Sequence, residues 1–443
     1  MTVTSTDRLT ADEILRLNRE YTFFSWSAQA RINPIVIERA EGIYFWDPDG
    51  KRYIDFNSQL MSVNIGHGDR RVADAIGEQA HKLAFAAPQF ATEVRGRLGQ
   101  MLAELTPGDL NTFFFTLGGA EANENALRMA RMVTGRQKVM ARYRSYHGAT
   151  AGAISTTGDP RRWASEPAVP GVIRVLDPQR YPSGEAEPLD AHLAYLDEVI
   201  NYEGPSSIAA FILETVVGTN GILIPPDGYL AGVRELCDRY GILLIADEVM
   251  AGFGRTGRWF AVDHWNVVPD MLTMAKGLTS SYLPLGAVAM SDRIADFFAE
   301  RTYFGGLTYS AHPVSCAAAI AAVNVLRDDD LVGNAARLGP VMALQLAALQ
   351  EKHPSVGEVR NIGLFGIIQL IRDRQTREPM APFNGSSPEM SALDARLKAD
   401  GLYTMQHWDS FFTNPPLCIT EEQLAEAFAI IDGALEVTDA TVI

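Results

Sequence analysis

The chain has 443 residues, 47% apolar and 21% charged, with a formal net charge of −16. That length supports a large core and two domains, and the composition is that of a globular protein rather than a disordered or fibrous one. The acidity argues against nucleic acid as a partner, because phosphate backbones are held by clustered Lys and Arg.

No apolar run reaches the roughly 18 residues of a membrane span, and Met1 to Asp7 has no apolar leader core. Cys237, Cys316 and Cys418 are odd in number and fit no metal-ligand spacing. A cytoplasmic protein with reduced thiols, no resident metal and no membrane partner is expected.

The elements follow in order. Thr10-Ala11-Asp12-Glu13 reads as a capped helix start, with Glu13 closing the box. Residues 21–26, Tyr-Thr-Phe-Phe-Ser-Trp, form an aromatic cluster suited to a core or an interface. Residues 35–46 read as two strands around Glu41-Gly42. Asp47-Pro48-Asp49-Gly50 is a turn and residues 51–55 a returning strand, giving a small antiparallel meander. From Asp69 the spacing of Val72, Ala75, Ile76 and Gln79 is helical.

A strand over 111–116 then runs into Leu117-Gly118-Gly119-Ala120 and a helix from Glu121 to about Thr134. Strand, glycines and helix start together suit a phosphate, whose oxygens meet free N–H groups at a helix N-terminus. A strand over 138–141 leads to Arg144-Ser145-Tyr146-His147-Gly148, and 177–191 is a Pro- and Gly-punctuated loop. Short strands follow at 172–176, 208–213, 242–246, 270–275 and 286–290, with a helix at 229–240. This alternation predicts a mostly parallel sheet with right-handed crossovers. Beyond Tyr309 come helices at 316–325 and to about 353, strands within 356–371, a helix at 392–401, strand-like 403–417 and a terminal helix to about 437. The expected domains are a large one over 61–328 and a small α+β one built from 1–60 and 329–443.

Two strands end in chemistry. The 242–246 run ends in Asp247-Glu248-Val249, and the 270–275 run ends in Lys276-Gly277. Ligands of open α/β sheets bind at that edge. A Lys amine can condense with an aldehyde, and a buried carboxylate can keep a ring nitrogen protonated. Backbone donors at Gly118, Gly119 and Ala120 can hold a phosphate, and Tyr146 offers a flat face, with His147 beside it as part of the same aromatic lid. Pyridoxal phosphate needs each of these.

The chain resembles the class III pyridoxal-phosphate aminotransferases of fold type I, the ω-transaminase group. Asp247-Glu248-Val249, then Gly252-Phe253-Gly254-Arg255-Thr256-Gly257, then Asp270 through Lys276-Gly277 is similar to the family signature, with Asp247 and Lys276 29 positions apart. Tyr146-His147-Gly148 and Thr308-Tyr309-Ser310 match as well. The resemblance implies that Lys276 binds the cofactor covalently, that Asp247 pairs with its ring nitrogen and that Tyr146 stacks on the ring. It adds Glu214 and Val249 to the cofactor contacts. Thr308 would bind the phosphate in a neighbouring subunit, so a homodimer is implied, with an amine and a 2-oxo acid as substrates. An aminomutase or racemase on the same scaffold, or a cofactor-binding protein without catalysis, is the alternative.

Departures concern the phosphate and the substrate. Gly118-Gly119-Ala120 stands where relatives carry Ser-Gly-Ser, and Val217 stands where relatives carry Gln. Many relatives have a mobile Arg ahead of Pro-Pro; by one alignment that position is Met405, by another His407. His407 is the candidate carboxylate or sulfonate contact. Phe24, Trp26, Met61 and Trp163 are expected apolar pocket walls, with Met61 in place of a Trp and leaving room for bulkier donors.

Overall fold

The computed structural model describes residues 9–179 and 187–442. The polar start expected at Met1 to Asp7, and the centre of the 177–191 loop, lie outside the described residues.

The large sheet has seven strands. Their spatial order is Thr112–Thr116, Gly286–Met290, Met271–Met274, Leu243–Asp247, Ile208–Glu214, Lys138–Arg142 and Val172–Val175. Six run the same way; Gly286–Met290 is antiparallel to both its neighbours. The reason is the short link between Met274 and Gly286, since a parallel crossover needs about a dozen residues or more. The central strands are buried along their whole length. This fits their largely apolar sequences, as expected of strands covered on both faces.

Among the described residues, two α-helices of eleven residues or more escaped the periodicity reading, besides three short ones. Glu93–Ala103 buries Leu98 and Leu102. Leu189–Glu203 begins inside the expected loop and buries His192, Leu196 and Ile200, a spacing of four that marks a single helical face. The Thr10 capping box is present as expected.

Two smaller sheets flank the large one. Arg39–Glu41, Tyr44–Trp46 and Arg52–Asp55 form the expected meander, and Leu402–Tyr403 joins it in parallel, with Leu402 opposite Ile54. Val356–Ile362, Phe365–Leu370, Ser410–Thr413 and Gln406–His407 form the other. Both ends of the chain therefore meet in one sheet beside the large one. Among the described residues no helix is long and apolar enough to cross a membrane.

Candidate active site

The site begins where two parallel strands end together. Leu243–Asp247 lies beside Met271–Met274, with Asp247 opposite Thr273. The Asp247 carboxylate is buried and held on three sides. Its Oδ2 accepts from Asn123 Nδ2 at 2.8 Å and lies 2.8 Å from His147 Nδ1, and its Oδ1 accepts from the Val249 N–H at 3.0 Å. Asn123 is fixed in turn: its Oδ1 accepts from Thr273 Oγ1, and its Nδ2 also donates to the His147 carbonyl. His147 thus stands behind Asp247 as its buried partner, with Nε2 given no partner among the described residues. That differs from a lid over the cofactor. The neighbouring Glu248 serves the fold instead: its carboxylate takes the Thr215 hydroxyl and the Ala261 and Val262 N–H groups. Burial pushes its pKa up to about 7.

Lys276 follows the second strand in a left-handed turn, with φ 43°. Such a backbone costs roughly 1 kcal/mol or more outside glycine and is met chiefly where the surroundings enforce it. Gly277 shows what enforces it here. A Cβ there would lie 2.6 Å from Asn64 Nδ2 and 2.7 Å from Phe253 Cβ, so only glycine lets the turn pack so closely. The Lys276 amine makes no hydrogen bond among the described residues. Burial lowers its pKa from the usual lysine value, against the opposing pull of Asp247 and Glu214.

The helix Gly119–Thr134 opens at the same edge, with Gly118 as its cap residue. Its first backbone bond runs from Ala122 to Gly118, so the N–H groups of Gly119, Ala120 and Glu121 have no acceptor among the described residues. Gly148, at φ 131°, presses the Tyr146–His147 turn onto this helix start; a Cβ there would sit 2.6 Å from Ala120 Cα. Glu214 joins the opposite wall, accepting from the Tyr146 N–H at 2.9 Å and the Gly218 N–H at 2.7 Å. One cavity of about 380 Å³ is lined by Gly118, Gly119, Ala120, Tyr146, His147, Glu214, Asp247, Val249 and Lys276. Nine of the ten expected cofactor contacts are thus brought together. The tenth, Thr308, is exposed and does not line this cavity in the single chain.

The expected substrate walls lie elsewhere. Met61 is buried in a cluster with Val216, Met250, Phe365 and Phe412, against which Met405 packs. Met61 does not line the cavity, but it shares this buried cluster with Met250, which does. Trp163 is 51% exposed and borders a separate cavity of about 310 Å³ with Arg144, Phe383 and Trp408. Trp26 is 65% exposed, and Phe24 is half-buried beside Gln29, which bonds its backbone. His407 stacks on Trp408 with ring centres 4.2 Å apart. Burial and the nearby Arg161 push its pKa down to about 4, so it is uncharged near neutrality. Its expected part as a cation for an anionic substrate therefore has no support in its surroundings. Asn123 and Thr219 also line the cavity and were missed; Asn123 sits one turn into a helix on its buried face, which is the signal available for it.

This donor set fits pyridoxal phosphate. Unpaired N–H groups at a helix start suit its phosphate. The triply held Asp247 suits a protonated ring nitrogen. An unpartnered amine on Lys276 suits its aldehyde. The profile of the family aminotransferase class-III matches residues 26–435.

The chain belongs to the class III aminotransferases.

As a member of that family it is an enzyme that uses pyridoxal phosphate, on the fold type I architecture. It is 32% identical over 423 residues to the putrescine–pyruvate aminotransferase of Pseudomonas aeruginosa, covering 92% of each chain. It is 32% identical over 451 residues to the taurine–pyruvate aminotransferase of Bilophila wadsworthia, covering 95% of this chain and 96% of that one. Among solved structures, the taurine:2-oxoglutarate aminotransferase of Bifidobacterium kashiwanohense, in complex with pyridoxal phosphate and glutamate, is 44% identical. It superposes with a TM-score of 0.95 over 99% of this chain and 100% of that one.

Proposed function

We propose that this aminotransferase moves an amino group from an ω-amino acid, a taurine-like amine or a primary amine to pyruvate or a similar 2-oxo acid. The observation that carries the reading is the free Lys276 amine facing the same cavity as the clamped Asp247. The names of the relatives support the donor range, since they include taurine and putrescine transaminases.

When bound, pyridoxal phosphate supplies an electrophilic carbon and a ring that withdraws electrons. Gly119, Ala120 and Glu121 hold the phosphate through their N–H groups. Asp247 keeps the ring nitrogen protonated, and His147 and Asn123 keep Asp247 in place. Tyr146 packs on the ring, with its backbone fixed by Glu214. Lys276 would anchor the cofactor, and its amine, when not engaged there, would serve as the base that carries a proton from the substrate carbon to the cofactor carbon on the face it occupies. A base already in place for such a transfer contributes about 10²- to 10⁴-fold. The lowered lysine pKa serves this role by keeping a share of the amine neutral.

A homodimer with sites at the subunit boundary belongs to the same proposal. Leu83, Phe85, Phe90, Phe304 and Tyr309 are large exposed apolar side chains. Phe85 touches Tyr309, so two of these segments share one patch next to Thr308. Three unpaired cysteines agree with the expected cytoplasmic setting. The test is turnover with and without a 2-oxo acid. A transaminase given amine alone consumes one equivalent per site and stops. Continued turnover without any 2-oxo acid would make the protein a mutase or racemase instead.

A further inference from the structure

An anionic substrate needs a cation, and the cavity around Lys276 has no other Lys and no Arg among the described residues that line it. Neither C-terminal position supplies one: Met405 is apolar, and His407 is uncharged near neutrality. The nearest guanidinium belongs to Arg161, on the short turn Pro160–Ser165. Its central carbon lies 3.7 Å from the centre of the Tyr146 ring. Its Nη2 donates to Thr219 Oγ1 at 2.7 Å. Tyr146 and Thr219 both line the cavity, so the guanidinium borders its wall.

The fork is also fixed from behind. Nε donates to both Asp159 oxygens, at 3.1 and 2.8 Å. Asp159 is buried and further held by the Arg161 N–H and by Asn220 Nδ2. Nη1 alone donates to nothing among the described residues, and the side chain as a whole is 26% exposed. Its charge is felt at both Lys276 and His407, lowering the pKa of each. A guanidinium held rigidly with one edge open is suited to a planar or tetrahedral anion.

We propose that Arg161 takes the anionic end of the amine donor, a carboxylate or sulfonate at the far end of a short ω-amino acid whose amine faces Lys276. The anion accepts from Nη1 of Arg161 and from the Thr219 hydroxyl, which sit together on one wall. This inference rests on the transaminase reading and names its donor class.

The test uses the cofactor-loaded enzyme and its first half-reaction, followed by absorbance, with β-alanine, taurine and 1-phenylethylamine as donors. In Arg161→Leu the apparent dissociation constants for β-alanine and taurine rise about thirtyfold more than that for 1-phenylethylamine, the loss of a charge-assisted contact. Arg161→Lys recovers part of that difference. Thr219→Val, which leaves the Asp159 pair untouched, weakens the two anionic donors several-fold more than the uncharged one. Calorimetric titration with propionate shows binding to the wild type and none to Arg161→Leu. Parallel losses for charged and uncharged donors would reduce Arg161 to a packing residue for Tyr146 and overturn the assignment. So would unchanged β-alanine binding. If 1-phenylethylamine reacts with the wild type and neither anionic donor does, the Arg161 assignment falls alone; if no amine reacts, the transaminase reading falls with it.

Discussion

Lys276 carries two unusual features at once: a left-handed backbone and an amine without a hydrogen-bond partner. Both leave a nucleophile free at a strand end. Its folded-state pKa lies below the usual 10.5, so deprotonation is complete at lower pH than for an exposed lysine. The rate at which the apoprotein captures pyridoxal phosphate should therefore rise with pH and level off with a midpoint below 10.5. Asp247 pulls that pKa upward, so Asp247→Asn should move the midpoint lower still; a midpoint that stays put or rises would contradict the electrostatics. Lys276→Ala should lower turnover by about 10³-fold or more while the fold, read by circular dichroism, is kept. Asn123 makes a finer case. Asn123→Ala removes one donor to Asp247 and leaves the Thr273 hydroxyl unpaired, so cofactor affinity should drop about tenfold, read by equilibrium dialysis. Unaltered affinity would mean that His147 alone positions the carboxylate.

Between the two chemical strand ends lies the Gly-Phe-Gly-Arg-Thr-Gly turn, which works as a structural element. Arg255 is fully buried, and its guanidinium joins three distant segments: Ser58 and Asn64 near the N-terminus, the Leu364 carbonyl, and the Pro415 carbonyl. Asn64 in turn bonds the Phe253 carbonyl and packs against Gly277. The signature thus ties the termini to the turn that aims Lys276. Burial depresses the Arg255 pKa to about 9, the mark of a cation held by neutral acceptors. Arg255→Leu leaves several buried carbonyls unpaired and should destabilise the protein by about 3 kcal/mol, seen as a lower urea midpoint. A midpoint equal to wild type would remove this joining role. In the sequence the turn was visible as a motif, but its partners were not, since Ser58 and Pro415 are brought together only by tertiary packing.

At the scale of the whole molecule, what was legible follows from locality. The cofactor cavity is made of short stretches, each carrying its own signal: glycines before a helix, a carboxylate after an apolar run, a lysine after another. Those nine contacts fell into one cavity. The expected substrate walls do not line that cavity, because how deep a side chain sits in the packing leaves no local signal. Met61 shares a buried cluster with Met250, which lines the cavity, and Arg161 meets the cavity wall by packing on Tyr146 and bonding Thr219. The proposed dimer is likewise a property of the surface. Phe85→Asp should split it, shown by a halved mass in sedimentation, and with it lower cofactor retention. The most direct test of the central claim, amino transfer at Lys276 and Asp247, is a two-step absorbance titration of the cofactor-loaded enzyme. The account predicts that the band of the bound cofactor bleaches on adding β-alanine, taurine or 1-phenylethylamine and returns on adding pyruvate. A bound cofactor whose band no amine bleaches, or a Lys276→Ala protein that completes the same cycle at the wild-type rate, would contradict it.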